Sequence, residues 1–163
     1  MNSVVIYASR HGNTQKVAEA IVAELALSGA ARLVAVDDAP SVIPTGTDLV
    51  VIGGPTEAHR MTEPLVRFFE RVEKTALNGV PTAAFCTRLH GPRWLWGSAA
   101  TAIADRLQAL GADVIAEPEN FFVTGPFGLE SGVSELRPGE FAHATEWARS
   151  VAGKVRAKVP AGV

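Results

Sequence analysis

Short apolar runs alternate along this chain with longer segments of helical period, and this alternation most constrains the fold. Residues 49–52 are apolar at every position, which is typical of a strand buried on both faces of a sheet. In residues 14–28, by contrast, Val17, Ile21 and Leu25 recur at four-residue spacing and predict an amphipathic helix. Strands that alternate with helices in this way form a parallel sheet covered on both faces.

The full pattern predicts a doubly wound α/β sandwich, whose ligands bind outside the carboxyl ends of the strands. Strands are predicted at residues 3–8, 32–36, 48–53, 80–86 and 113–116, the last broken by Pro118 and resumed at 121–123. Helices are predicted at residues 14–28, from the N-cap Thr62, from the N-cap Ser98 to Gly111, and from Pro138 onward. The last helix is expected to bury Phe141, Ala144, Ala148, Val151 and Val155 and to end in a frayed tail at 159–163.

Composition and charge exclude several classes of protein. The 163 residues fit one domain, and a formal net charge of -2 gives no basic face for nucleic acid. The single cysteine, Cys86, excludes an internal disulfide and a multi-cysteine metal site. The apolar runs are too short to span a bilayer, and only Asn2 and Ser3 follow the first methionine before the first run, too few for a signal peptide. We therefore expect one cytoplasmic domain that binds neither membranes nor nucleic acid.

The turn after the first strand carries the strongest chemical signal. Residues 9–14 read Ser-Arg-His-Gly-Asn-Thr, and Gly12 lets the backbone approach a ligand closely. Free N–H groups at the start of the following helix lie at the positive end of its dipole. The hydroxyls of Ser9 and Thr14 and the amide of Asn13 add neutral donors. The pattern indicates either a phosphate-monoester site or an ordinary capped helix.

Three related motifs do not fit. A P-loop needs Gly-Lys-Ser/Thr at the helix entry, whereas Asn13 and Thr14 follow Gly12. A dinucleotide-binding fingerprint needs three spaced glycines, and this turn has one. A phospho-acceptor receiver domain needs an aspartate after the third strand, where this chain has Gly53 and Gly54.

The stretch from Val5 to Ile21 resembles the flavodoxin signature. An apolar pair is followed by Tyr7, Ser9, Gly12, Thr14, Ala18 and Ile21. Weaker similarities at residues 53–56, 85–87 and 147–148 extend the resemblance over nearly the whole chain. It implies a flavodoxin-like fold, with a five-stranded parallel sheet in the order 2-1-3-4-5 and helices on both faces, that binds FMN noncovalently.

The resemblance also implies where FMN would bind. Its phosphate would be held by the loop at 9–14, and its isoalloxazine ring would lie between loops 54–61 and 87–96. The implied cofactor-binding residues are Ser9, Arg10, His11, Gly12, Asn13, Thr14, Pro55, Thr56, Glu57, His59, Thr87, Arg88 and Trp94. No catalytic residue and no metal ligand is assigned.

The ring-binding loops depart from the family pattern. Loop 54–61 contains no aromatic residue except His59, and Pro92 aligns with the expected tyrosine. Trp94 and Trp96 lie close by, where either could stack on the ring or anchor the loop on the sheet edge. Cys86, at the end of the fourth strand, is expected to be a small buried thiol. The segment 125–139 is expected to be either a mobile loop or a plain connection.

Basic residues concentrate in the three loops of the implied site. They are Arg10, His11, His59, Arg60, Arg88, His90 and Arg93. They form either scattered solvated charges or a positive rim around the cofactor. Fully reduced FMN tends to be an anion at N1, so a positive rim would stabilise it by about 1–4 kcal/mol for a cation at about 4 Å. The hypothesis is therefore a less negative flavin potential than in acidic flavodoxins.

Three functions follow from these features. The first is an electron carrier that uses FMN to shuttle electrons between redox partner proteins. The second is an FMN-dependent NAD(P)H:quinone-type oxidoreductase with a small-molecule acceptor, because Gly54-Pro55-Thr56 and Met61 look similar to that branch of the superfamily. The third is a flavin-free binding module, which the missing ring aromatics favour.

Overall fold

The computed structural model describes residues 1–58, 60–91, 97–125 and 134–158. The strands are β1 Ser3–Tyr7, β2 Ala31–Ala35, β3 Leu49–Pro55, β4 Pro81–Leu89, β5 Asp113–Val114 and β6 Glu119–Val123. The helices are α1 Asn13–Ala26, α2 Glu63–Arg71, α3 Ala99–Ala109 and α4 Glu140–Lys158, with a 3-10 turn at Val36–Asp38.

The strands form one parallel sheet in the order β2-β1-β3-β4-β5, which confirms the predicted topology. The fifth position is shared, because β5 pairs with the start of β4 and β6 pairs with residues 85–89 of the same strand. Pro118 lies between the two segments and has no N–H for the ladder, which explains the interruption. The predicted resumption of the strand is thus confirmed, with its first residue at Glu119.

Strand side chains alternate between two apolar layers. Ile6 and Ile52 pack with residues of α2 and α3, whereas Val5 and Val51 pack with residues of α1 and α4. Phe85 contacts Phe121 and Trp147 edge to face, with ring centroids 6.0 and 6.2 Å apart. The predicted stripe of α1, Val17, Ile21 and Leu25, is fully buried in the second layer.

Several predicted element ends were wrong by two or three residues: β3 continues to Pro55, and α1 already ends at Ala26. The end of β4 and the start of α4 also differ from the prediction. β4 continues to Leu89 because β6 pairs with it there, so Thr87 and Arg88 are strand residues rather than loop residues. Helix α4 begins at Glu140, and Phe141 is 52% exposed instead of buried. Glu140, four residues before Ala144, takes the buried position in the first turn.

The predicted N-cap residues are correct, but their side chains do not make the capping hydrogen bonds. Thr62 and Ser98 are the N-cap residues of α2 and α3, yet neither hydroxyl caps its helix. Instead, the N–H of Ala99 donates to the Thr56 hydroxyl at 3.0 Å, so a residue from the end of β3 caps α3. Among the helices of the described residues, none is long and apolar enough to cross a membrane.

Candidate functional site

A cavity of about 840 Å³ opens at the carboxyl ends of β1, β3 and β4, a size within the usual range for cofactor pockets. It is lined by Arg10, His11, Asn13, Thr14, Pro55, Thr56, Glu57, Ala58, Thr87, Arg88, Leu89, Val123 and Ser134. Most of the predicted site residues are therefore brought together around one space. Ser9 lines a smaller neighbouring cavity instead. The predicted contacts of His59 and Trp94 lie outside the described residues.

The loop between β1 and α1 presents free amides to this cavity. Gly12 is the N-cap of α1 and adopts a left-handed conformation, with φ +83°. The Ser9 hydroxyl accepts the Gly12 N–H at 3.1 Å and holds the turn closed. Within the described parts of the chain, the N–H groups of His11, Asn13 and Thr14 have no hydrogen-bond partner. Unpaired amides at a helix N-terminus form a ready anion site.

Two buried side chains at the end of this loop are held by hydrogen bonds to distant segments of the chain. The Asn13 amide donates to the carbonyl of Ser134 at 2.8 Å, and the hydroxyls of Thr14 and Thr87 share a hydrogen bond of 2.7 Å. Buried polar atoms need such partners. One donor of the Asn13 amide, which the sequence predicts as a neutral donor at this spot, is therefore used within the protein.

The second wall of the cavity is the turn that follows β3. The N–H of Thr56 donates to the Thr87 carbonyl at 2.8 Å, and the backbones of Glu57 and Arg60 pair with each other at 2.8 and 3.0 Å. This tight turn holds Ala58 at φ +44°, a conformation uncommon for a residue other than glycine. The Arg10 guanidinium lies 3.4 Å from the Glu57 carboxylate, so an exposed ion pair bridges the first and second loops.

The third wall is the end of β4, where Thr87 and Arg88 are largely buried. The Arg88 Nε donates to the Asn120 Oδ1 at 3.1 Å, and the Arg88 Nη1 donates to the carbonyls of Leu89 and Gly91. The Cys86 thiol also donates to the Asn120 Oδ1, at 3.3 Å. Cys86 is fully buried against Ala99 and Ala100, which confirms the expected buried thiol.

The predicted positive rim is smaller than the sequence pattern indicates. Of its members that the structure describes, Arg10, His11 and Arg88 line the cavity. Arg60 lines a separate groove, and the ring of His90 packs edge-on against Phe122 at 4.9 Å. Arg93 lies outside the described residues, as does His59. In the described part of the chain, no three His, Cys, Asp or Glu side chains form a cluster that could hold a metal ion.

The sequence reasoning missed several lining residues. Leu89 and Val123 line the cavity because β4 and β6 pair to their ends, which the early predicted end of β4 concealed. Ser134 reaches the cavity because residues on either side of the 126–133 segment pair back on each other. The Thr124 N–H donates to the Glu135 carbonyl at 2.7 Å. The predicted mobile loop itself lies mostly outside the described residues.

Sheet order and cavity together define a doubly wound α/β protein with a loop of unpaired amides at the carboxyl edge of its first strand. The sequence model of the Flavodoxin domain matches residues 4–116. A flavodoxin from Nitratidesulfovibrio vulgaris (strain DSM 19637 / Miyazaki F) is 30% identical over 123 residues, which cover 71% of this chain and 81% of that protein. The chain therefore belongs to the flavodoxin family, a class of flavin-binding electron-transfer proteins.

Solved structures agree on the fold. A flavodoxin from the domain Archaea superposes with a TM-score of 0.76 at 18% identity, covering 96% of this chain and 99% of that one. Flavodoxin 1 from Bacillus cereus also gives a TM-score of 0.76 at 18% identity, covering 94% of this chain and 98% of that one. The similarity extends past residue 116, so β6 and α4 also belong to the shared fold.

Proposed function

We propose that this protein binds FMN noncovalently in the 840 Å³ cavity and carries electrons between redox partner proteins. The observation that carries this proposal is the set of free amides at His11, Asn13 and Thr14, next to a cavity large enough for a flavin. Those donors fit a phosphate ester, and the Arg10 and His11 side chains line the same space. When bound, FMN supplies the redox chemistry.

The remaining walls would hold the ring. Residues 55–58 lie on the β3 side of the cavity and residues 87–89 on the β4 side. The hydrogen bond from the Thr56 N–H to the Thr87 carbonyl fixes the spacing of these two walls. The cations on this surface favour an anionic cofactor, which supports the hypothesis of a less negative flavin potential. The predicted single-domain organisation and cytoplasmic location remain part of the proposal.

The test compares FMN with riboflavin, which has the same ring but no phosphate. Apoprotein is titrated with each flavin, and binding is followed by calorimetry and by quenching of flavin fluorescence. Because charge-assisted hydrogen bonds contribute about 1.5–3 kcal/mol each, we expect FMN to bind at least about tenfold more tightly. Equal affinities would show that the loop at 9–14 does not bind the phosphate.

A second measurement separates a carrier from an NAD(P)H-dependent enzyme. FMN-loaded protein is mixed with NADPH in a stopped-flow instrument, and the flavin absorbance is recorded. We expect no rapid bleaching, because a carrier takes its electrons from a protein. Rapid bleaching would favour the quinone-reductase function and a nicotinamide donor.

A further inference from the structure

Arg88 places a buried positive charge in the wall of the cavity. The residue is only 8% exposed, and its guanidinium donates to three neutral oxygens, on Asn120, Leu89 and Gly91. Its Cζ atom lies over the Phe122 ring, 5.0 Å from the ring centroid. Among the described residues, no carboxylate forms an ion pair with Arg88. Within the described residues, the charge is thus held in place by neutral groups and has no carboxylate partner.

A buried cation with only neutral hydrogen-bond partners lacks a counter-charge. An arginine guanidinium stays protonated in proteins, so Arg88 cannot lose its charge to escape burial. Buried charges are normally paired, because hydrogen bonds to neutral groups replace water only in part. Arg88 lines the cavity, so an anion bound there would supply the missing partner.

Asn120 determines where this charge lies. In the parallel register, Cys86 is opposite Asn120 and Arg88 is opposite Phe122, so the two β6 side chains lie on the same face of the sheet as Arg88. The Asn120 Oδ1 accepts from the Arg88 Nε, from the Ser98 hydroxyl at 2.8 Å and from the Cys86 thiol. Three donors fix this oxygen, and an aspartate in its place would cancel the charge that the asparagine leaves intact.

We propose that Arg88, positioned by Asn120, is the counter-charge that raises the affinity of this cavity for the anionic, fully reduced flavin ring relative to the neutral oxidised ring. The inference rests on the proposed function, since it needs FMN in the cavity. It assigns the electrostatic effect to one buried side chain rather than to a diffuse rim. Arg88 would bind the reduced cofactor, whereas Asn120 would act through Arg88 as a positioning residue.

The experiment measures the dissociation constants of oxidised FMN and of dithionite-reduced FMN, under anaerobic conditions, for wild type, Arg88→Gln and Asn120→Asp. The ratio of the two constants reports the preference for the reduced form. We expect both variants to lower that preference about tenfold, equivalent to about 30 mV in a two-electron midpoint potential. Arg106→Gln, which removes a cation from the last turn of α3, is the matched control and should leave the ratio unchanged.

A pH series distinguishes the charge from a merely structural role. When acid protonates the reduced flavin, the anion disappears, so the difference between wild type and Arg88→Gln should narrow as the pH falls. Arg88→Lys keeps the charge but loses the planar fork, and it should give an intermediate ratio. If Arg88→Gln does not fold, Asn120→Asp gives the same comparison with the guanidinium still present.

The outcomes separate the inference from the proposed function. Wild-type protein that binds neither form of FMN would overturn both. Wild-type protein that binds FMN, with ratios in Arg88→Gln and Asn120→Asp within twofold of wild type at every pH, would overturn the inference alone. A ratio that changes equally at all pH values would also overturn it, because a general loss of structure does not depend on flavin protonation.

Discussion

The hydroxyls of Thr14 and Thr87 lie 2.7 Å apart and join the first turn of α1 to β4. Both residues are buried and both line the cavity, so this hydrogen bond fixes the loop at 9–14 relative to the β4 wall. The two residues are 73 positions apart in sequence. The pair is thus a tertiary contact on which the shape of the site depends.

Replacing either threonine by valine should destabilise the protein. Thr14→Val leaves the Thr87 hydroxyl buried without this partner, which costs about 1–3 kcal/mol of unfolding free energy. The double variant Thr14→Val/Thr87→Val should lose less than the sum of the two single losses, because neither hydroxyl is then left behind. Urea denaturation provides the measurement. Thr145→Val is the control, because the hydroxyl of this half-buried threonine of α4 makes only an exposed hydrogen bond to the Phe141 carbonyl, and it should change stability by less than about 0.5 kcal/mol. Strictly additive losses would mean that the two hydroxyls are not coupled.

Gly12→Ala should weaken FMN binding, and Gly46→Ala should not. Both glycines have φ +83°, and a Cβ at either position would meet no atom within 4 Å, so each variant carries the same backbone strain of about 1–2 kcal/mol. Gly12 shapes the loop at 9–14, whereas Gly46 lies in the loop before β3. Equal losses of thermal stability are therefore expected, with weaker FMN binding in Gly12→Ala alone. Unchanged FMN affinity in Gly12→Ala would remove this turn from the binding site.

The alternation of strands and helices was predictable because local patterns determine it, whereas the strand order followed from the resemblance to flavodoxins. Residues 49–52 are apolar on both faces, and Val17, Ile21 and Leu25 follow helical spacing. In each case the pattern within the element predicts which of its faces are buried. The prediction that Phe141 is buried was wrong because the burial of this residue is not determined by the local pattern. Its spacing fits the stripe of α4, but which side of the first turn is buried depends on how the helix docks.

The sequence could indicate only those parts of the candidate site whose pattern lies within a single loop. The turn at 9–14 has a sequence signature, and four of its residues, Arg10, His11, Asn13 and Thr14, line the cavity. The β4 wall has only the weaker similarity at 85–87, which does not show that Thr87 and Arg88 become strand residues when β6 pairs with them. Asn120 and Ser134 contribute through contacts between distant segments, which periodicity within one segment cannot reveal.

Glu57→Gln should strengthen FMN binding with little effect on stability. The Arg10–Glu57 ion pair is exposed, so it contributes at most about 1 kcal/mol to folding. Its removal frees the Arg10 guanidinium for the phosphate and takes a negative charge from the cavity wall, so affinity should rise a few-fold. Calorimetry at low and high salt checks this, because the gain should shrink as salt screens the charges.

The control for that prediction is Glu24→Gln. Glu24 pairs with Arg149 between α1 and α4, remote from the cavity, and its carboxylate raises the pKa of the Arg149 guanidinium. Its removal should leave FMN affinity unchanged. If Glu57→Gln also leaves FMN affinity unchanged, the Arg10 side chain does not contact the phosphate.

Gly53→Ala should destabilise the protein strongly, whereas Gly153→Ala should stabilise it. A Cβ at Gly53 would overlap the ring of Phe85. Because Phe85 is fully buried between Phe121 and Trp147 and has no room to move, overpacking should cost about 1–3 kcal/mol or more of unfolding free energy. At Gly153, inside α4, a Cβ meets nothing within 4 Å, and alanine should gain about 0.5–1 kcal/mol. Urea unfolding measures both, and Gly53→Ala/Phe85→Leu should recover part of the loss. Failure of that smaller side chain to recover any stability would mean that Phe85 is not what excludes a side chain at position 53.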